Sequence, residues 1–157
     1  MEAYLSSDTV FLLVFVAIAA LVDLRTRRIP NVLTVSAVAA ALVLHMVKGG
    51  GPGALASGAG LLVGFLAFLP FYLVGGFGAG DVKAMAAVGA FLGPRDALLA
   101  VAWTLIAGGI GALIVLAALR WGRARTTGGW RLKEARRQTF PYGLAIACGT
   151  AVSLVWS

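Results

Sequence analysis

The stretch VFLLVFVAIAALV at residues 10–22, closed by Asp23-Leu24-Arg25-Thr26-Arg27-Arg28-Ile29-Pro30-Asn31, decides the fold class. An unbroken apolar run meets one carboxylate and then three arginines. A soluble helix would show a polar face within that length, whereas a helix that enters a bilayer stays apolar all round and stops at a basic edge. Working outward, a first apolar segment at about residues 6–23 is followed by others at about 31–48, 56–75, 82–92, 96–119 and 141–156. The chain of 157 residues is 61% hydrophobic and 12% charged, against about 25% charged in soluble domains. The expectation is an all-α membrane protein, one polytopic domain over residues 1–157.

The fourth segment, Val82 to Leu92, is too short to span a typical bilayer core straight across. Charge decides how it is counted. With six crossings and the amino terminus outside, Arg25, Arg27, Arg28, Lys83 and the seven basic residues from Arg120 to Arg137 share the cytoplasmic side, and Lys48 and Arg95 fall outside. Without the fourth crossing the large basic loop would lie opposite Arg25, Arg27 and Arg28, against the positive-inside bias. Six transmembrane helices, the fourth short, with both termini outside, is therefore the expected topology. The net charge of +7 reads as topology rather than as a nucleic-acid footprint, because its carriers sit between apolar runs. The basic cytoplasmic loop at about 120–140 is expected to rest on anionic headgroups of the bilayer. No Lys or Arg precedes the first run, so a retained first helix is expected rather than a cleaved secretory signal.

Gly49-Gly50-Gly51-Pro52-Gly53 reads as an external turn. Gly60 and Gly64, and Gly89 and Gly93, are small residues four apart that would let helix backbones approach. Cys148 stands alone, so neither a disulfide framework nor a cysteine zinc cluster is available.

Two acids remain at the cytoplasmic ends of apolar segments, Asp23 and Asp81, the second within Gly75-Gly76-Phe77-Gly78-Ala79-Gly80-Asp81-Val82-Lys83. Ionisable groups in such places are costly and mark function. Each has a bland reading as well: Asp81 as a helix N-cap, Asp23 as the partner of Arg27 four residues on. Both, however, fall at one membrane level that holds almost no other acid. Two carboxylates brought close cannot both ionise cheaply, so they share a proton, and one can activate water while the other protonates a carbonyl or leaving amine. That chemistry needs no metal and no cofactor. Gly78 and Gly80 would free the backbone before Asp81 and let an extended peptide approach. Pro30 would open the second helix, with Asn31 bonding in the turn or to substrate.

Asp23 with Arg25, Arg27, Ile29, Pro30 and Asn31, then Gly78-Ala79-Gly80-Asp81-Val82-Lys83, then Pro141-Tyr142-Gly143, resemble in order the signature blocks of the type IV prepilin peptidases, membrane aspartyl proteases of the Gly-x-Gly-Asp class. The resemblance implies that Asp23 and Asp81 are catalytic, with Gly78, Gly80, Lys83, Arg27, Pro30 and Asn31 in the active-site loop or near substrate. It implies as substrate a prepilin or pseudopilin whose basic leader is cleaved at the cytoplasmic face of a bacterial inner membrane. Many members carry an extra cytoplasmic region with paired cysteines and also N-methylate the new pilin terminus. This chain lacks that region and resembles the short form of Flp-type, tight-adherence systems, so neither methylation nor a bound zinc is expected. Archaeal preflagellin processing is a related substrate class.

Two other readings compete. Leu55-Ala56-Ser57-Gly58 is similar to the Gly-x-Ser-Gly of rhomboid serine proteases, but the single histidine, His45, precedes it where that chemistry needs a later one. A proton-coupled transporter or channel would use the aspartates as a relay. A relay calls for acids at the midplane or along a path, and these two lie at one face.

Overall fold

The computed structural model describes residues 7–26, 29–123 and 142–156; Arg27, Arg28 and the segment 124–141, with most of the basic loop, lie outside the described residues. Four helices account for the regular structure among them: α1 (Ser7–Thr26), α2 (Asn31–Leu73), α3 (Ala79–Arg123) and α4 (Tyr142–Trp156). By length and composition, α1, α2 and the part of α3 from Ala79 to Ile114 are able to cross a membrane, and α4 is a shorter apolar helix. In α1 the buried face is Leu12, Phe15, Val16, Ala19, Ala20 and Asp23, at helical spacing, while Phe11, Val14, Ile18 and Leu21 on the opposite side are apolar and exposed. A helix that is apolar on its open side as well faces lipid. The protein is an integral membrane protein.

Segments 31–48 and 56–75 fall within α2, and segments 82–92 and 96–119 fall within α3. Each helix is interrupted at a single glycine, Gly50 (φ 58°, ψ −144°) in α2 and Gly93 (φ 78°, ψ 175°) in α3. Both are conformations that a Cβ disfavours. The chain doubles back there. Residues eight apart along a straight helix are separated by about 12 Å, yet a Cβ at Gly53 would lie 3.0 Å from the carbonyl carbon of His45, and one at Gly89 would lie 3.5 Å from the Cβ of Ala97. The expected turn over Gly49–Gly53 is thus tighter than five residues. One glycine makes the reversal, and Pro52 sits in the first turn of the next limb, where its missing N–H costs nothing.

The limb 79–92 is the centre of the molecule. From Val82 to Phe91 every residue except Lys83 is buried. At about 21 Å it is shorter than the roughly 30 Å hydrocarbon layer, and it is enclosed by its neighbours rather than by lipid. The second limb of α2 reaches it at backbone distance. A Cβ at Gly60 would strike the Gly89 carbonyl oxygen and lie 2.8 Å from the Gly93 Cα, and one at Gly64 would lie 2.9 Å from the Met85 carbonyl carbon. Gly60, Gly64 and Gly89 therefore have the packing role expected of them. Gly93 shares in that approach, its Cα 2.8 Å from a Cβ at Gly60, and it serves as the hinge as well.

The carbonyls that this hinge strands are satisfied from α2. Pro94 has no N–H to offer Ala90 four residues back; the Ser57 hydroxyl donates to the Ala90 carbonyl instead, at 2.8 Å. His45 Nε2 donates to the Phe91 carbonyl at 3.0 Å. Ser57 and His45 are thus helix-end caps held by main-chain oxygens. At the same end of the bundle Lys48 pairs with Asp8 at 2.9 Å, tying the start of α1 to the end of the first α2 limb.

Gly60→Ala is expected to lower the thermal midpoint of the purified protein, at a cost of about 1–3 kcal/mol or more by overpacking. Gly58→Ala, whose added Cβ meets nothing within 4 Å, should be near neutral. Equal midpoints for the two variants in a thermal melt would refute the backbone contact.

Candidate functional site

The end of the bundle opposite the Lys48–Asp8 pair collects the last turn of α1, the first turns of α3 and α4 and the link between α2 and α3. That link is specified residue by residue. Gly75 takes φ 77° after the end of α2, its N–H donates to the Tyr72 carbonyl at 2.9 Å, and the Gly76 N–H donates to the Phe71 carbonyl at 2.8 Å. This pair of bonds is the Schellman termination, which requires a left-handed residue at the Gly75 position. The chain then turns through Phe77 into Gly78.

Gly78 caps α3, and Asp81 stands in its first turn. The Asp81 N–H donates to the Gly78 carbonyl at 3.1 Å, and the Asp81 carboxylate accepts the Gly78 N–H through Oδ2 at 2.9 Å. The side chain reaches back to the cap rather than forward into the next turn, so Asp81 is the third helical residue and not the N-cap anticipated by its bland reading. A Cβ at Gly78 would lie 3.3 Å from that Oδ2, and one at Gly80 would lie 3.3 Å from the Ile29 Cβ. Neither glycine has a positive φ. Their value is space, for the carboxylate in one case and for the buried Ile29 of the α1–α2 link in the other.

Asp23, on the buried face of α1, accepts the Gly143 N–H through Oδ2 at 2.9 Å. That amide belongs to the first turn of α4, where N–H groups have no partner inside the helix. A Cβ at Gly143 would lie 2.9 Å from both the Asp23 Cβ and its Oδ2. Arg27, the alternative partner, lies outside the described residues. Asp23 and Asp81 are 7% and 8% exposed, so both carboxylates are withdrawn from solvent.

The two settings adjoin. Tyr142, beside Gly143, packs edge-on against Phe77, beside Gly78, with ring centroids 4.4 Å apart. Phe77 in turn packs on Phe68 and Phe71 of α2. Each carboxylate commits one oxygen, Oδ2, to a backbone amide.

Lys83 and Asn31 are brought together, Nζ to Oδ1 at 2.9 Å, on the exposed side of the α3–α2 contact. Pro30 is the exposed N-cap of α2, with φ −63° and ψ 138°, and its carbonyl accepts the Leu33 and Thr34 amides. Of the residues singled out from sequence, Asp23, Asp81, Gly78 and Gly80 form the buried core of the site, while Lys83, Asn31 and Pro30 lie at its margin. The Gly143 amide and the Phe77–Tyr142 contact carry no sequence signal of their own beyond the Pro141-Tyr142-Gly143 block, because a main-chain donor leaves no mark in side-chain chemistry.

A model of the type IV leader peptidase family matches residues 10–113, a span that holds both aspartates and both helix reversals. No curated protein and no solved structure matches the chain.

If the Gly143 amide holds Asp23, Gly143→Ala should destabilise the protein by about 1–3 kcal/mol, the cost of a buried carboxylate losing its donor. The same change made in an Asp23→Gly background, which removes both the Cβ and the carboxylate that the new methyl would strike, should cost much less. A thermal double-mutant cycle in detergent measures this coupling, and additive effects would show that the bond is unimportant.

Proposed function

This chain belongs to the type IV leader peptidase family and is an aspartic-type prepilin peptidase, and on that premise we propose that Asp23 and Asp81 are its catalytic pair. The observation that carries this reading is the convergence of two buried carboxylates, from α1 and α3, each fixed by a backbone amide at a helix start. One carboxylate, ionised, takes a proton from water, and the resulting hydroxide attacks the scissile carbonyl. The other, protonated, donates to the carbonyl oxygen. Collapse of the tetrahedral intermediate breaks the C–N bond and returns a proton to the leaving amine. No covalent enzyme intermediate is formed. A relay through the membrane is disfavoured because both acids sit at one end of the bundle.

The substrate in this proposal is a prepilin or pseudopilin of the Flp type, cut after its short basic leader at the cytoplasmic face of a bacterial inner membrane. In this proposal the chain crosses six times with both termini outside, which puts the site on that face. The two helix reversals, at Gly50 and Gly93, support six limbs. The basic residues of the sequence support the orientation, since Arg25 and Lys83 each stand two residues from an aspartate in the sequence and seven more basic residues fall between Arg120 and Arg137.

Asp23→Asn and Asp81→Asn, each folded in membranes, are expected to cleave a candidate Flp-type prepilin at least about 10²-fold more slowly than wild type, the scale of lost general acid–base catalysis. Cleavage by either variant at the normal rate would remove the pair from the mechanism. The chain lacks the cysteine-bearing region associated with methylation. Pilin processed by this protein alone is therefore expected to keep a free, unmethylated amino terminus, as mass spectrometry of the product would record.

A further inference from the structure

A groove of about 480 Å³ runs along the outside of the bundle between the first limb of α2, Phe65 of its second limb, and the limb 79–92. Its polar end is formed by Lys83 and Asn31, and its length by Val35, Val38 and Leu42 on one wall and Phe65 on the other. Lys83 donates to the Asn31 side-chain oxygen, which uses one of the three donors of its ammonium. Among the described residues no carboxylate pairs with it. The groove thus presents an uncompensated cation at one end and hydrocarbon along the rest, which is the complement of an amphiphile with an anionic head.

Its dimensions choose among amphiphiles. From Asn31 to Leu42 the wall rises about 16 Å along the helix, close to half of the roughly 30 Å hydrocarbon layer. The register also separates the groove from the carboxylates: Asp81 and Lys83 are two residues apart, about 200° around their helix, so the groove lies on the far side of the limb from the buried pair. A transmembrane peptide seated there would be led away from Asp23 and Asp81. We propose that this groove is a discrete binding site for one anionic phospholipid of the leaflet at the carboxylate end, its phosphate on Lys83 and Asn31 and one acyl chain along Val35, Val38, Leu42 and Phe65. The headgroup supplies the negative charge that no carboxylate among the described residues supplies beside Lys83, and the chain closes the gap between the limbs of α2.

The test uses the full chain reconstituted in nanodiscs of phosphatidylcholine with and without phosphatidylglycerol, then released into mild detergent and weighed by native mass spectrometry. Wild type should retain one phosphatidylglycerol and no phosphatidylcholine. Lys83→Gln, which removes the cation, and Ala39→Trp, which fills the groove from an exposed position on its wall, should each lower the retained fraction at least fivefold. Circular dichroism and a thermal melt check that both variants are folded. Retention of the two lipids to equal extents would overturn the proposal. So would undiminished retention of phosphatidylglycerol by either folded variant, since the site as proposed requires both the charge and the open groove.

Discussion

A short helix with almost no free face imposes its terms on everything around it. The limb 79–92 is buried from Val82 to Phe91 but for Lys83, so neighbouring helices have to approach its backbone rather than stand off on side chains. Glycine permits this at Gly60 and Gly64 opposite Gly89 and Met85. Enclosure also explains how an abrupt chain reversal at Gly93 is tolerated within an apolar molecule: irregular backbone survives at such depth only where protein supplies its hydrogen bonds. His45 and Ser57 do so. The position of Asp81 follows from the seating of this limb, because the residue stands in the limb's first turn.

The two carboxylates share a device. Withdrawn from water, each is costly unless a donor meets it, and in each case the donor is a main-chain N–H at the start of a helix, where amides are unpaired and the helix dipole favours negative charge. Asp81 uses the cap of its own helix, and Asp23 uses the first turn of a helix 120 residues away. The aspartates therefore have a structural role whatever chemistry they perform. The backbone bond that sequence alone offers as a rival to catalysis uses one oxygen of each carboxylate, so the catalytic role proposed for the pair does not compete with it.

Much of this was legible in the chain, for identifiable reasons. Membrane composition follows from apolar runs that no soluble surface could carry. Charge counting led to the expectation that Asp23 and Asp81 share one level, and the structure has both at the end of the bundle where α1 stops and α3 and α4 begin. Packing through Gly60, Gly64 and Gly89 follows from spacing. What stayed hidden depended on backbone atoms or on distant contacts. A five-residue stretch rich in glycine does not disclose that Gly50 alone makes the reversal. Gly78 and Gly80 suggested unusual dihedrals, whereas the left-handed residue of that loop is Gly75. Ser57 and His45 carried only a serine-protease resemblance that their order in the chain already spoke against, and the carbonyls they cap came into view only with the reversal at Gly93.

The amide of Gly143 couples α4 mechanically to the Asp23 carboxylate. A carboxylate held by its own helix moves with that helix alone, but Asp23 is fastened to a second body, so a tilt or axial slip of α4 is transmitted to the carboxylate from a donor that is itself main chain. The spacing of the acids is then set by a lever whose arm is the whole of Tyr142–Trp156. Natural variation along the lipid-facing side of α4, remote from either aspartate, would act as a fine adjustment of how far apart the two oxygens rest.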